Sequence, residues 1–354
     1  MRFYALDGKT ISQPRMADGR TRVARMDLSI IPHRIVFFLV PNFSMIAFAS
    51  ALEPLRLTNR TLGKTVYEWT VVSADGEPVK ASNGLAVGVD LSLDQARHRL
   101  LDEIKPEMVL VCSGVKVENF RNAQFEGWLR SMHRRGIAVG GLCTGAWLLA
   151  QADLLEGKRC SIHWETLPAF AEKFPMAEVH ADLCEIDDGI YTCAGGTAAL
   201  DMMLHVIEEH FGQSVMTKVC EYCLIDRIRN QRDRQRLPLQ ARLGLHHAKL
   251  LLIIELMEAN VSEPLSLAEI SEYVGLSRRQ VERLFRRHLG RSPARYYLEI
   301  RIDRARHLLL QSNMPIVDVA IACGFVSASH FSKCYREMYG RSPQMERAQA
   351  EAYL

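Results

Sequence analysis

Residues 140–150 read GGLCTGAWLLA. The apolar run GIAVGGL (136–142) leads into the cysteine and AWLLAQADLL (146–155) leads away from it. Cys143 therefore stands at a tight turn between an expected strand and an expected helix. That geometry exposes nucleophiles in α/β enzymes. What surrounds this turn decides both the fold and the chemistry.

Outward from the turn, short apolar runs alternate with helical patterns. RIVFFLV (34–40), YEWTVVSA (67–74), MVLVCSG (108–114) and IYTCAGG (190–196) have strand character. FASALEPLRLTNR (48–60), FEGWLRSMHRRG (125–136) and TAALDMMLHVIEEHFG (197–212) have helical spacing. Strands that are apolar throughout and alternate with helices predict a flavodoxin-like α/β domain, its sheet mainly parallel and covered on both faces. Such sheets bind ligands at the carboxyl ends of their strands, where Cys143 lies.

The strand signals stop near residue 212. The segment 213–246 is dense in Arg and Gln around IDRIRNQRDRQRLPLQARLG (225–244) and is expected to be a helix running into a linker. Residues 247–354 are expected to be all helix. They contain an internal repeat: LAEISEYVGLSRRQVERLFRRHLGRSP (267–293) and IVDVAIACGFVSASHFSKCYREMYGRSP (316–343), both ending in GRSP. In each copy a short helix meets a Gly (Gly275, Gly324), then a Ser (Ser277, Ser327) suited to cap a second helix. This is the helix-turn-helix layout, twice. The intervening helix of about 19 residues spans roughly 28 Å, against roughly 34 Å for one turn of DNA. One chain could thus set two reading helices into successive major grooves.

Charge agrees. Residues 231–354 hold 19 Lys and Arg against 13 Asp and Glu, whereas residues 1–230 carry a net −3. A basic C-terminal third on a slightly acidic body points to a polyanion partner. In the first reading helix Val281, Leu284, Phe285 and Leu289 form the core stripe, leaving Arg278, Arg279, Glu282, Arg283, Arg286 and Arg287 outside. In the second, Phe331, Cys334 and Tyr335 face inward and Ser329, His330, Ser332, Lys333 and Arg336 outward. Arg reads guanine edges through two bonds, and any Arg neutralises phosphate. A solvated basic face on a protein-interaction domain is the competing reading, which the duplication disfavours.

The whole-chain numbers bound the class. With 48% apolar and 24% charged residues the chain is an ordinary globular protein. No apolar run approaches the roughly 18–20 residues of a membrane span. Residues 1–29 are expected to be a disordered tail without the apolar core of a secretory signal. Nine cysteines, an odd number thinly spread, fit reduced thiols in a cytoplasm. The Cys220-Glu-Tyr-Cys223 pair has no second pair at zinc spacing and reads as helix, so no metal and no cofactor is expected.

LSRRQVERLFRRHLGRSPARYY and ACGFVSASHFSKCYREMYGRSP resemble the AraC/XylS family of transcription regulators, over about the last 105 residues. The resemblance implies base contacts by Arg279, Glu282, Arg283, Ser329, Ser332 and Lys333, and a phosphate role for Arg287. An intrahelical pair with Arg286 is an equal alternative for Glu282. Residues 30–212 resemble the ThiJ/PfpI group of the class I glutamine-amidotransferase superfamily in its GlxA-like branch, through GGLCTGAWLLAQADLLEGKR, SIHW (161–164) and TCAGGTAALD (192–201). Relatives that act as proteases carry His after the Cys, and others carry an acid on the first helix. Here those positions hold Thr144 and Ala47, and only His163 is left as a partner for Cys143. Catalysis is therefore not expected.

The turn is expected instead to hold a small metabolite on backbone amides near Cys143, Thr144 and Gly114. His163, Trp164 and Phe43 are candidate walls, the aromatic ones able to attract a quaternary ammonium. PLQARLGLHHAKL and EPLSLAEISEYVGLSRRQVERLF resemble regulators of glycine betaine, carnitine and arginine catabolism. The implied protein is a dimeric regulator, expected to activate a catabolic operon, with double-stranded promoter DNA, RNA polymerase and a quaternary amine or amino acid as partners. A Cys143-dependent hydrolase or hydratase fused to a DNA-binding domain is the alternative. A ligand-independent architectural binder leaves the α/β domain without a role.

Overall fold

Alternation along each strand builds two cores at once. In β1 (His33–Leu39), Ile35, Phe37 and Leu39 enter one buried cluster while Val36 and Phe38 enter another. A strand whose side chains are apolar on both sides must be covered on both sides. The computed structural model describes residues 31–102, 105–225, 228–230, 233–235 and 239–352; the expected tail over 1–29 lies outside them.

After β1 come α1 (Met45–Leu62), β2 (Tyr67–Ser73), a small hairpin of β3 (Val79–Lys80) and β4 (Ala86–Val87), β5 (Leu91–Ser92), α2 (Leu93–Asp102), β6 (Met108–Cys112) and α3 (Ala123–Arg134). Then follow β7 (Ala138–Leu142), α4 (Ala146–Gln151), β8 (Arg159–Ser161), α5 (Leu167–Lys173), β9 (Glu178–His180), β10 (Cys184–Asp187), β11 (Ile190–Cys193), α6 (Ala198–Phe211) and α7 (Gln213–Tyr222). Seven strands form one sheet in the order β10-β11-β7-β6-β1-β2-β5. Its pairs are parallel except β10 with β11. The mainly parallel α/β domain expected from the sequence is what forms.

The expected helix running into a linker takes a particular form. Of the Arg- and Gln-rich stretch, the described residues 228–230 and 233–235 are not helical, and helix returns at 239–243. Helix α7 belongs to the α/β body, burying Met216, Val219 and Cys220 in the same cluster as α1 and α6. Leu224 then turns the chain with φ 55°, and the described residues beyond it lie along the body as a strap. Arg229 pairs with Asp201 at 2.6 Å, and Gln235 Nε2 donates to Ile162 O at 2.9 Å and Asp182 O at 3.0 Å. The polar side chains that look like a solvated helix face are used as anchors.

The remaining helices are α8 (Leu239–Leu243), α9 (Ala248–Ala259), α10 (Leu267–Val274), α11 (Arg278–Leu289), α12 (Pro293–Gln311), α13 (Ile316–Ala322), α14 (Ala328–Tyr339) and α15 (Pro343–Ala352). Helix α12 has the 19 residues expected for the connector. Its two halves serve different cores. Tyr296 and Tyr297 pack with Ile253, Ile270, Val281 and Phe285, whereas Ile302, Ala305, Leu308 and Leu309 join a cluster that holds both Phe331 of α14 and Trp147 of the α/β body.

Candidate nucleic-acid interface and sensor elbow

Both reading helices start on a serine. Ser277 accepts from Gln280 N while the Gln280 side chain accepts from Ser277 N, a reciprocal capping box on α11. Ser327 accepts from His330 N on α14 without the reciprocal bond. Both helices end on a left-handed glycine, Gly290 (φ 68°) and Gly340 (φ 73°). The caps fix where each helix begins, and so which residues face out.

On α11, Val281 and Phe285 are fully buried, and Arg279, Glu282, Arg283, Arg286 and Arg287 are exposed. Arg279, Gln280, Glu282, Arg283 and Arg286 line one open hollow of about 680 Å³. Among the described residues, Glu282 and Arg286 share no ion pair within 4.0 Å, so the intrahelical pairing offered as an alternative does not occupy Glu282. On α14, Ser329, Ser332, Lys333, Arg336 and Glu337 line a second hollow of about 460 Å³. Ser329, His330, Lys333 and Arg336 are exposed as expected and Ser332 is half-buried; the His330 ring also lies 3.3 Å from Cys334 Sγ and edge-on to Phe325. Gln280 is the residue that sequence reasoning misses, although its S-x-x-Q spacing from Ser277 is the signal.

The elbow is real in its backbone. Cys143 has φ 62°, the left-handed region that a branched neighbourhood normally denies a non-glycine residue. Two glycines allow it. A Cβ on Gly195 would meet Cys143 Cβ at 2.5 Å, and one on Gly141 would meet Ala146 N at 2.5 Å. Cys143 is only 8% exposed, and burial pushes its thiol up to about 12, with the neighbouring Cys193 adding to the shift. Ser44 and the Thr144 amide are its hydrogen-bonding neighbours. Thr144 Oγ1 donates to Gly114 O at 2.7 Å and is bonded to Ser113 Oγ at 2.7 Å, so it is already engaged. His163 offers its backbone N to Cys143 O at 3.1 Å, while its ring Nδ1 lies 3.9 Å from Glu165. Burial holds the His163 imidazole below its usual value.

Two expected pocket features change. Phe43 is fully buried, T-packed on Phe48 and bridged to Gly114, so it fills the core behind the elbow. The helix after Cys143 has six residues, and the amides expected to be free are partly used: Gly145 N donates to Leu142 O at 3.0 Å and Trp147 N to Thr144 O at 3.0 Å. Gly114 sits where a Cβ would strike Asn42 O at 2.3 Å. It is there for close backbone approach. Trp164 is half-buried, its ring centroid 5.5 Å from that of His307 on α12 and the two rings edge to face.

At the opposite end of the sheet, Glu107 bridges His33 Nδ1 (2.5 Å) and His210 Nε2 (3.1 Å), and Tyr67 Oη bonds His210 Nδ1 at 2.8 Å. Bonds from the two histidines, His210 first, hold the Glu107 carboxyl down at about 2. The imidazoles stack 4.0 Å apart and 12° from parallel. Lone pairs in two parallel planes do not converge on one tetrahedral ion, so this cluster is a hydrogen-bonded clamp between β1 and α6. No described helix is long and apolar enough to cross a membrane.

Two capped helix-turn-helix units with basic outer faces, joined to an α/β body with an intact elbow, define a DNA-binding transcription regulator of two-domain type. Comparison with known proteins agrees over both parts. Residues 33–209 match the DJ-1/PfpI family and residues 270–349 a helix-turn-helix domain. The chain belongs to the AraC family of helix-turn-helix regulators with an N-terminal DJ-1/PfpI domain. It is 45% identical over 316 residues to the HTH-type transcriptional regulator GbdR of Pseudomonas aeruginosa, covering 89% of this chain and 84% of that one. It is 41% identical to the regulator CdhR of the same species, over 88% and 90% of the two chains. A crystal structure of an AraC family transcriptional regulator from Pseudomonas putida is similar at 26% identity and a TM-score of 0.49, over 54% of this chain and all of that one.

Proposed function

We propose that the chain is a metabolite-responsive, non-enzymatic activator that works in the cytoplasm as a homodimer and contacts RNA polymerase at its promoters. The DNA contacts fall to Arg279, Glu282, Arg283 and Arg287 on α11 and to Ser329, Ser332 and Lys333 on α14. The effector site is the elbow, lined by Gly114, Cys143, Thr144, His163 and Trp164. Its ligand is a quaternary amine such as glycine betaine or carnitine, or else an amino acid. The body over 30–212, with α7 packed onto it, senses, the rest of 213–246 connects and 247–354 binds DNA.

The observation that carries this reading is the state of Cys143. A nucleophilic cysteine needs a thiolate, supplied by a base, a cation or a positioned acid. Here the thiol is neutral and buried, Thr144 is bonded elsewhere, and position 47 is Ala. The backbone of an elbow survives without its chemistry, which suits binding. Resemblance to the GbdR and CdhR regulators supports a regulatory role for the same domain.

A thermal-shift screen of the full chain against glycine betaine, carnitine and the common amino acids tests it. A ligand at 100 times its Kd stabilises the folded state by about 2.7 kcal/mol. One class should raise Tm and also raise promoter output. Turnover of that ligand by the wild type and not by Cys143→Ser would reverse the non-enzymatic reading.

A further inference from the structure

We propose that residues 161–166 of the sensor and the C-terminal half of α12 form a latch through which the elbow sets the pose of the second reading helix, with Arg301 as its positioning residue. The inference rests on α14 as a groove-reading helix and needs no particular effector.

The latch is a chain of short contacts that begins at the elbow. Cys143 O accepts from His163 N at 3.1 Å. The next residue, Trp164, meets His307 of α12 edge to face at 5.5 Å and 74°. Thr166 Oγ1 donates to Gln311 Oε1 at 2.9 Å, one helical turn further along α12. Between these polar contacts Leu308 and Leu309 are buried in the cluster that contains Trp147 and Phe170 of the sensor. The strap grips the same segment through the bond from Gln235 to Ile162 O. A displacement of residues 161–166 therefore cannot leave α12 where it is, because close-packed contacts shift as units.

At its middle, more than two turns back from Gln311, α12 holds the turn of the second helix-turn-helix through Arg301. Arg301 Nε donates to Cys323 O at 2.8 Å and its terminal nitrogen to Gly324 O at 2.6 Å, and the guanidinium lies 4.2 Å from the Phe325 ring centroid. Cys323 O is an orphan acceptor at the C-cap of α13 and Gly324 O lies one residue beyond it, where a cation is favoured by both hydrogen bonding and the helix dipole. The turn leads directly to Ser327, the cap of α14. The first unit has the same device in weaker form: Lys249 of α9 reaches Val274 O at 3.1 Å and Gly275 O at 3.5 Å. Lys is a single rotatable point charge and Arg a planar fork. Among the described residues, the first unit also keeps a buried cluster of its own, without sensor residues. The sensor therefore steers the second unit, while the first rests on its own core.

The test uses the full chain and the duplex that the wild type enriches from a random-sequence pool. His307→Ala with Gln311→Ala should lower base preference about tenfold in the half read by α14 and leave the half read by α11 intact. Arg301→Ala should do the same, and Arg301→Lys should restore part of it. Hydrogen exchange should show residues 161–173 and 305–311 losing protection together in the double variant. A merely structural contact would instead lower Tm and weaken both halves alike, which overturns the proposal. Retained preference in both halves overturns it too. Lys333→Ala separates the two layers. If it erases the α14 half while the latch variants do not, only the latch falls. If it changes nothing, the groove-reading assignment of α14 fails and takes the latch with it.

Discussion

Helix α11 exposes Arg278, Arg279, Arg283, Arg286 and Arg287, whereas α14 exposes Ser329, Lys333 and Arg336. The frames are copies, with a serine cap, an aromatic core residue eight positions on (Phe285, Tyr335) and a left-handed glycine stop. The chemistry on them is not. Five arginines supply affinity through phosphate neutralisation as well as base reading. The serines of α14 with one lysine and one arginine supply less charge and depend more on correct placement. On the proposed function the two copies share a geometry and differ in role, α11 anchoring and α14 discriminating under the sensor's control.

The largest effect expected from breaking this contrast is at Arg283. Arg283→Ala should cost about 1–3 kcal/mol on the specific duplex and relax preference at the contacted base, as measured by titration against matched and mismatched sites. Equal losses on every sequence would move Arg283 to the phosphate class.

Capping gives the next effect. Ser277→Ala removes one side of a capping box and should destabilise the helical domain by about 1 kcal/mol. Ser327→Ala removes a single 3.4 Å bond and should cost less. Denaturant melts of the two variants that rank the other way would show that α14 leans harder on its start than on the sensor.

A smaller change is expected at Arg287. If it meets phosphate, Arg287→Ala weakens all duplexes alike and lowers the salt slope by about 0.9. An unchanged slope removes the contact. The smallest is at the elbow, where Cys143→Ser should leave DNA binding alone and shift apparent affinity for whichever compound of the thermal-shift panel binds by less than tenfold, about 1.4 kcal/mol. Loss of the response at saturating ligand, with binding retained, would restore catalysis to the elbow.

Much of this molecule is legible from its residues. Strands uniform in apolar character specify the parallel sheet, and a repeat closed twice by GRSP specifies the tandem motif and the connector. What the sequence hides has physical causes. Edge strand β10 and the pairs β3–β4 and β8–β9 are two to four residues long, too short for a period to register. The strap looks like helix in the sequence because Arg and Gln suit a solvated helix face as well as they suit anchors. Phe43 looks like a pocket wall because its neighbours in sequence lie near the elbow, but its ring turns inward onto Phe48. Neither Lys249 nor Arg301 carries any local signal, since each acts on a turn more than 20 residues away.

The central claim is that one chain reads two successive grooves through unlike helices on a single connector. Hydroxyl-radical footprinting of the full chain on its selected duplex tests it most directly. Each protomer should protect two tracts with centres about 10 bp apart, the tract under α14 disappearing in Lys333→Ala and the tract under α11 persisting. A single tract per protomer, unaffected by Lys333→Ala, would contradict the claim.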